Sequence, residues 1–306
     1  DPGTLWGIGL NYADHAGDQP SRGSPKARPP RGSGYGAIPA ADRNEGRRMT
    51  RLARRADGTP LVGDDEGFVP LSATDSAAGT WSEALKAATD GRLTATGATV
   101  PSVPAERLDF GSPLPDPGTL WGIGLNYADH AGDLDETPPD EPASFIKATG
   151  AAVGPGGPIR LPSEELAERV TAEGELALVV GRTAHDVDVG QAEDVIAGYL
   201  PVIDVTAEDV LERNPRFLTR AKSFDTFLVL GPWLVTPDEI TDLDDVTVRT
   251  VHNGAVSASN DVRAMHFSPA ELLAFHSEVA TLERCDLLST GTPGAATIEA
   301  GDSVAA

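Results

Sequence analysis

A mainly β fold with few helices, an α+β chain carrying a small β-rich N-terminal module, is what this sequence predicts. Three observations lead there. Short apolar runs of strand length recur through residues 120–290, as in "LWGIGL", "ELALVV", "YLPVIDV" and "FLVLGPWLV". Helix signals are few, and "SPAELLAFHSEVATL" carries the fullest set of start signals. The connections are irregular and rich in Pro and Gly, without the strand–helix alternation of a doubly wound sheet.

The opening eighteen residues, "DPGTLWGIGLNYADHAGD", return letter for letter at Asp116–Asp133. Between the copies, residues 19–48 carry seven Arg/Lys against two Asp/Glu and many Pro, Gly and Ser without periodicity, the composition of a disordered linker. A diverged tandem duplication does not stay letter-perfect and then lose all similarity. Residues 1–48 are therefore expected to be a disordered or non-native extension, with the natural start at Met49. Residues 49–110 form the small N-terminal module: alternating apolar runs broken by Asp and Gly turns, then the helix-like "TWSEALKAATDG". "GSPLPDPG" connects it to the main domain, placed at residues 116–306.

In the main domain the strand candidates are residues 120–125, 175–180, 199–205, 227–235, 246–251 and 286–290. The best-signalled helix begins where Ser268 can cap, Pro269 suits the first turn and Glu271 completes a Ser-x-x-Glu box. Its apolar face is expected to hold Leu272, Leu273, Phe275 and Val279. A second helix is expected over residues 189–198. The closing "EAGDSVAA" reads as a turn leading into one more strand, with a further terminal segment expected beyond it.

Composition narrows the function. The formal charge is −23, from 47 acidic against 24 basic residues. Such a surface repels nucleic acid and anionic membranes, and resembles that of proteins from salt-adapted organisms. The single cysteine, Cys285, rules out an internal disulfide framework and a cysteine metal cage. No run approaches the roughly 18 apolar residues that span a bilayer, and the N-terminus lacks a signal peptide's pattern. A cytoplasmic protein without nucleic-acid or membrane partners is expected.

Chemistry concentrates in "TAEGELALVVG". Glu173 and Glu175 stand two apart at the mouth of a strand, so extended geometry points both side chains to one face. Asp204, in "PVIDVTAED", offers a third oxygen. Three hard carboxylates without cysteine suit Mg²⁺ or Mn²⁺ better than Zn²⁺. In so acidic a chain the same pair also reads as the solvated face of an edge strand. Lys222 is one of three lysines after Met49, so an ammonium kept there points to a specific anion; Lys147 in "FIKATG" is a second candidate. His130 reads as a proton acceptor or as an ordinary histidine at a helix start. Tyr127 offers a hydroxyl to substrate or packs in a β layer. Gly291 and Thr292, in "TGTPG", offer an N–H and a hydroxyl to a carboxylate or form an ordinary turn. His185, His252, His266 and His276 share no spacing and read as structural. "GIGLNYADHAG" lacks the third glycine and the Lys-Ser/Thr of a phosphate loop.

Taken in order, "GLNYADHAGD", "SFIKATG", "AEGELALVVG", "AGYLPVIDVTAED", "RAKSFDTFLVLGPWLVT", "NGAVSASNDVRAMHFSPAELLAFHSEVATL" and "STGTPG" resemble the fumarylacetoacetate hydrolase family over about Leu120–Gly294. The resemblance implies a mixed β-sandwich roll, a homodimer, and a divalent cation held by Glu173, Glu175 and Asp204. It implies that His130, paired with Asp133 where relatives often have glutamate, activates water. Lys222 would stabilise an enolate or carboxylate beside the metal, and the loop from Gly132 to Pro142 would close as a lid. The implied substrate is a small 2-oxo acid reacting through a metal-bound enolate, with hydrolytic C–C cleavage of an acylpyruvate or fumarylpyruvate as the first expectation. Isomerisation or decarboxylation of hydroxy-diene-dioates and dehydration of 2-keto-3-deoxy sugar acids are the alternatives; a non-catalytic, metal-stabilised β protein is the alternative from another class. Two segments depart from the family pattern: Glu208 stands where many relatives have arginine, and "RCD" (284–286) where relatives tend to have Pro-Gly-Asp.

Overall fold

The computed structural model describes residues 11–15, 50–133 and 136–306. The expectations for the rest of residues 1–48 and for the middle of the 132–142 loop lie outside the described residues. Asn11–His15 form a strand, β1. Arg51–Arg54 (β2), Pro60–Asp64 (β3) and Gly67–Pro70 (β4) then make an antiparallel meander. Its turns use Gly58 and Gly67 at φ of 96° and 137°, a backbone region that glycine enters without steric cost. Helix α1 (Trp81–Thr89) starts at Thr80, whose side chain and that of Glu83 satisfy each other's backbone N–H groups in a capping box.

The main domain runs through β5 (Leu120–Gly124), α2 (Ala128–Asp133), β6 (Ala143–Lys147), β7 (Ala152–Val153), β8 (Ile159–Leu161), β9 (Val170–Val180) and β10 (Ile196–Ala207). It continues with α3 (Glu208–Arg213), α4 (Leu218–Lys222), β11 (Leu228–Leu230), β12 (Trp233–Val235), β13 (Thr247–His252), β14 (Ala255–Asp261), α5 (Pro269–Val279), β15 (Leu287–Ser289), β16 (Ala295–Thr297) and β17 (Ser303–Ala305). The mainly β class therefore holds. The larger, twelve-stranded sheet runs β4-β3-β2-β12-β10-β9-β15-β5-β6, with β11, β7 and β16 joined to it; the smaller runs β14-β13-β17-β1-β8. Because β2 pairs with β12, the N-terminal meander extends the main sheet. Phe68, Phe110 and Trp233 stack at that junction with ring centroids 5.4–5.6 Å apart.

Several elements differ from expectation for physical reasons. β9 and β10 run to 11 and 12 residues, longer than their apolar cores, because every residue in them is buried, carboxylates included. The run at 227–235 splits into β11 and β12 around Gly231-Pro232, where proline cannot donate to a ladder. The helix expected over 189–198 is a 3₁₀ turn, Val189–Val195, since Ile196 and its successors are taken by β10. Helix α5 starts with the expected Ser268–Glu271 capping box. It buries Leu272 and Leu273 but leaves Val279 exposed, which corrects the apolar face drawn from sequence. Among the described residues no helix is long and apolar enough to cross a membrane.

A candidate metal centre on paired strands

β9 and β10 pair antiparallel with Glu173 opposite Asp204, Glu175 opposite Val202, and Thr171 opposite Thr206. Alternation along each strand puts Glu173, Glu175 and Asp204 on one face. Further along, that face is apolar: Ala177, Val179, Leu200 and Val202 pack with Leu85 and Ala88 of α1. The carboxylates occupy the stretch beyond the helix. One oxygen from each lies within 4.8 Å of the other two. Glu173, Glu175 and Asp204 are only 7%, 2% and 1% exposed.

Three anions this close are tolerable only with cations and donors around them. Lys222, the last residue of α4, places Nζ 2.9 Å from both Glu173 Oε2 and Asp204 Oδ2. The same ammonium sits 5.0 Å above the Phe145 ring. Lys147, the last residue of β6, donates to Asp204 Oδ1 and, at 3.2 Å, to the Val205 carbonyl. Thr206 donates to Glu173 Oε1 at 2.6 Å. Ser289 and, at 3.0 Å, the Gly291 N–H donate to Glu175 Oε2.

The electrostatics follow from these contacts. Burial opposes ionisation of Asp204, but Lys147 and Lys222 outweigh it and hold the carboxyl below its usual range. Burial also opposes the charge on Lys222, and the facing Asp204, Glu173 and Glu175 hold it protonated. Glu175, without a direct lysine contact, is pushed up to about 8 by burial and by Asp204 and Glu173. Three carboxylates thus face two lysines, and the one without a lysine contact, Glu175, resists ionisation. The cluster's donors are hard oxygens with no cysteine or histidine among them, a set that fits a divalent cation of the magnesium or manganese type.

The other expected residues are placed as follows. Tyr127 is fully buried, bridges to Met265, and its hydroxyl has no hydrogen-bond partner. Burial, with Glu175 and Asp261 adding, drives its phenol pKa up. His130 lies half-buried on α2, three residues past Tyr127 and outside the carboxylate cluster. Asp133 ends α2, and its side chain lies outside the described residues. Gly291 faces Glu175, and the Thr292 hydroxyl sits 3.0 Å from both the Gly174 and Gly294 carbonyl oxygens, so both meet protein partners.

Sequence reasoning missed four groups. Thr206 stands two residues after Asp204, so the alternation that linked Glu173 to Glu175 would have found it. Thr171 is two before Glu173 in the same way. Ser289 reaches Glu175 across 114 residues, and no local pattern announces that. Asn126 donates to the Phe267 and Thr290 carbonyls at 3.0 and 2.8 Å and accepts from the Phe267 N–H at 2.8 Å, anchoring the entry to α2 beside Gly291.

Residues 119–306 match the family model described as fumarylacetoacetate (FAA) hydrolase C-terminal. The chain is 37% identical over 201 residues to a 4-hydroxyphenylacetate degradation bifunctional isomerase/decarboxylase of Salmonella dublin, covering 65% of this chain and 46% of that protein. This chain therefore spans less than half of that relative. It is 36% identical over 201 residues to a 2,4-didehydro-3-deoxy-L-rhamnonate hydrolase of a Sphingomonas strain, covering 65% and 70% of the two chains. The crystal structure of maleylpyruvate hydrolase from Sphingobium sp. SYK-6, in complex with manganese(II) and pyruvate, matches with a TM-score of 0.68 at 25% identity, covering 83% and 93% of the two chains. On the match of more than half its length, together with the fold, this chain belongs to the fumarylacetoacetate hydrolase family of enzymes.

Proposed function

We propose that the protein is a divalent-metal-dependent hydrolase that cleaves a C–C bond in an acylpyruvate-type 2-oxo acid. One observation carries this reading: the buried Glu173, Glu175 and Asp204 cluster with Lys222 bridging two of its carboxylates. Those three residues would hold Mg²⁺ or Mn²⁺; the solved maleylpyruvate hydrolase contains manganese(II) with pyruvate. A cation held there supplies Lewis-acid polarisation to a 2-oxo acid.

The chain's own groups do the rest. His130, paired with Asp133, takes a proton from water, and the water oxygen adds to the carbonyl distal to the 2-oxo group. The C–C bond breaks, its electron pair passes to the pyruvyl fragment as an enolate, and the other fragment leaves as a carboxylic acid. A proton delivered to the enolate carbon completes pyruvate. Lys222 stabilises the negative charge that develops, and Lys147 donates to Asp204 and to the Val205 carbonyl and so holds that carboxylate in place. We read the protein as a cytoplasmic homodimer suited to high salt, a reading supported by the family resemblance and the charge of −23.

With Mn²⁺ and a panel of acylpyruvates, pyruvate and the matching carboxylic acid are expected as products by mass. His130→Ala and Lys222→Ala should each lower turnover by about 10²-fold or more, while Mn²⁺ still raises the melting temperature. Unchanged turnover in either variant would reject its catalytic role. A second reading, isomerisation or decarboxylation of hydroxy-diene-dioates, is favoured by the Salmonella dublin relative's name. Products isomeric with substrate, or lighter by carbon dioxide, would select it.

A further inference from the structure

Among the described residues, every carboxylate oxygen of the cluster except Glu175 Oε1 accepts a hydrogen bond. Thr206 and Lys222 donate to Glu173, Ser289 and the Gly291 N–H to Glu175, and Lys147 and Lys222 to Asp204. Lys222 differs from the other donors. Its single ammonium spans two carboxylates, at 2.9 Å from both Glu173 Oε2 and Asp204 Oδ2. Thr206, Ser289 and the Gly291 N–H are neutral, and Lys147 joins Asp204 to the Val205 carbonyl rather than to a second carboxylate. Spanning Glu173 and Asp204 with positive charge is also what a cation held by Glu173, Glu175 and Asp204 would do. The ammonium and such a cation therefore compete for the same oxygens.

The mounting of Lys222 permits exchange. Its backbone is fixed: Lys222 ends α4, and the next residue, Ser223, accepts from the Ala148 N–H at 3.0 Å, which ties the end of α4 to the end of β6. The charge itself rides on a flexible stem. One neighbour of the ammonium is not a carboxylate, the Phe145 ring at 5.0 Å. That ring lies over Gly122, its pairing partner on β5, where an added Cβ would run into Phe145 Cζ. An ammonium that gives up Glu173 and Asp204 keeps this aromatic face as a partner.

We propose that Lys222 sets the charge class of the bound cation: as a tethered monovalent cation it holds the carboxylates against free K⁺ or Na⁺, and it yields to a divalent ion. The proposal rests on the metal reading of the cluster and adds its selectivity. A free monovalent ion brings no more charge than the ammonium it would replace, and it must shed its own water to enter. A divalent ion brings twice the charge to the same oxygens. Exclusion matters in this chain, because a formal charge of −23 concentrates monovalent counter-ions around it.

The test is Mn²⁺ affinity, measured by calorimetry on the metal-stripped full chain in equal concentrations of KCl or tetramethylammonium chloride. The bulky ion screens charge as K⁺ does but is too large to enter the cluster. In tetramethylammonium chloride, Lys222→Met should bind Mn²⁺ at least about tenfold tighter than the wild type, the low end of what a close pair of buried charges is worth. Changing to KCl should weaken Mn²⁺ binding by Lys222→Met and leave the wild type as it was. Lys147→Met removes a charge that bridges no second carboxylate, and should show a smaller rise and no response to K⁺. Weaker or unchanged Mn²⁺ binding by Lys222→Met overturns the proposal, since the lysine would then support the site rather than compete for it. An equal rise in Lys147→Met, or the same response to K⁺ in wild type and Lys222→Met, overturns it as well. Should the methionine variant not fold, Lys222→Gln, which keeps a neutral donor, decides by the same comparisons. Each of those results leaves the metal centre standing, whereas Mn²⁺ binding by neither wild type nor variants would reject the centre and the proposal together.

Discussion

Glu175 depends on a backbone that only one residue type fits well. Gly291 sits at φ +98°, and a Cβ added there would lie 3.0 Å from Asn126 Cβ and 3.2 Å from the Ile123 carbonyl. From this position its N–H reaches Glu175 Oε2. Gly291→Ala should cost about 1–2 kcal/mol of stability and weaken Mn²⁺ binding, read by urea unfolding in EDTA and by metal titration. Gly190→Ala, where an added Cβ meets nothing within 4 Å, is the control and should change neither. Equal effects of the two substitutions would refute the role. The carboxylate cluster was legible because Glu173 and Glu175 share a period of two and Asp204 recurs in a strand of similar length. Their hydroxyl and amide partners were not, since Ser289 and Gly291 meet Glu175 only through the pairing of β15 with β9.

At the scale of elements, α5 is tied to the edge strand β6 through one histidine. His276 Nδ1 lies 2.6 Å from the Leu272 carbonyl, which can only accept, so that nitrogen carries the proton. Nε2 then accepts from Ser144 Oγ at 2.7 Å, and the ring packs 4.9 Å from that of Trp121. Burial lowers the His276 pKa, so the folded state holds the neutral form. The unfolded chain gains a proton near its ordinary pKa of about 6.5, whereas the folded chain resists it. The contribution is therefore full above about pH 6.5 and lost as pH falls toward the lower folded value. Urea midpoints should drop from pH 7.5 to 5.5, and His276→Gln should flatten that slope; an unchanged slope would assign the drop to other groups. The sequence showed α5 clearly because Ser268, Pro269 and Glu271 signal within a single turn. It missed the fate of residues 189–198, where the competing claim came from β9, a neighbour in space.

At the scale of the molecule, 47 acidic against 24 basic residues leave a surface that repels itself. Salt screens such repulsion, with a Debye length of about 10 Å at 0.1 M and about 3 Å at 1 M. The melting temperature should therefore rise with KCl across that range, followed by circular dichroism. A flat or falling curve would show that the acidic surface does not limit stability. Class and site class were legible from composition and alternation, but the continuity of the sheet was not. The β2–β12 pairing joins segments about 180 residues apart, and an alternating pattern does not name its partner.

The pairing of β9 with β10 makes the centre inseparable from the framework. The strands that hold Glu173, Glu175 and Asp204 are also the longest and most completely covered in the sheet. Such strands are expected to open with the whole domain, so their amides should be among the slowest to exchange with solvent. A cation that grips these side chains binds the folded chain and not the unfolded one, and its affinity is felt as protection along the entire ladder. Drift in any of these three buried carboxylates thus bears on the lifetime of the native state as well as on the site, which ties the evolution of the site to that of the fold.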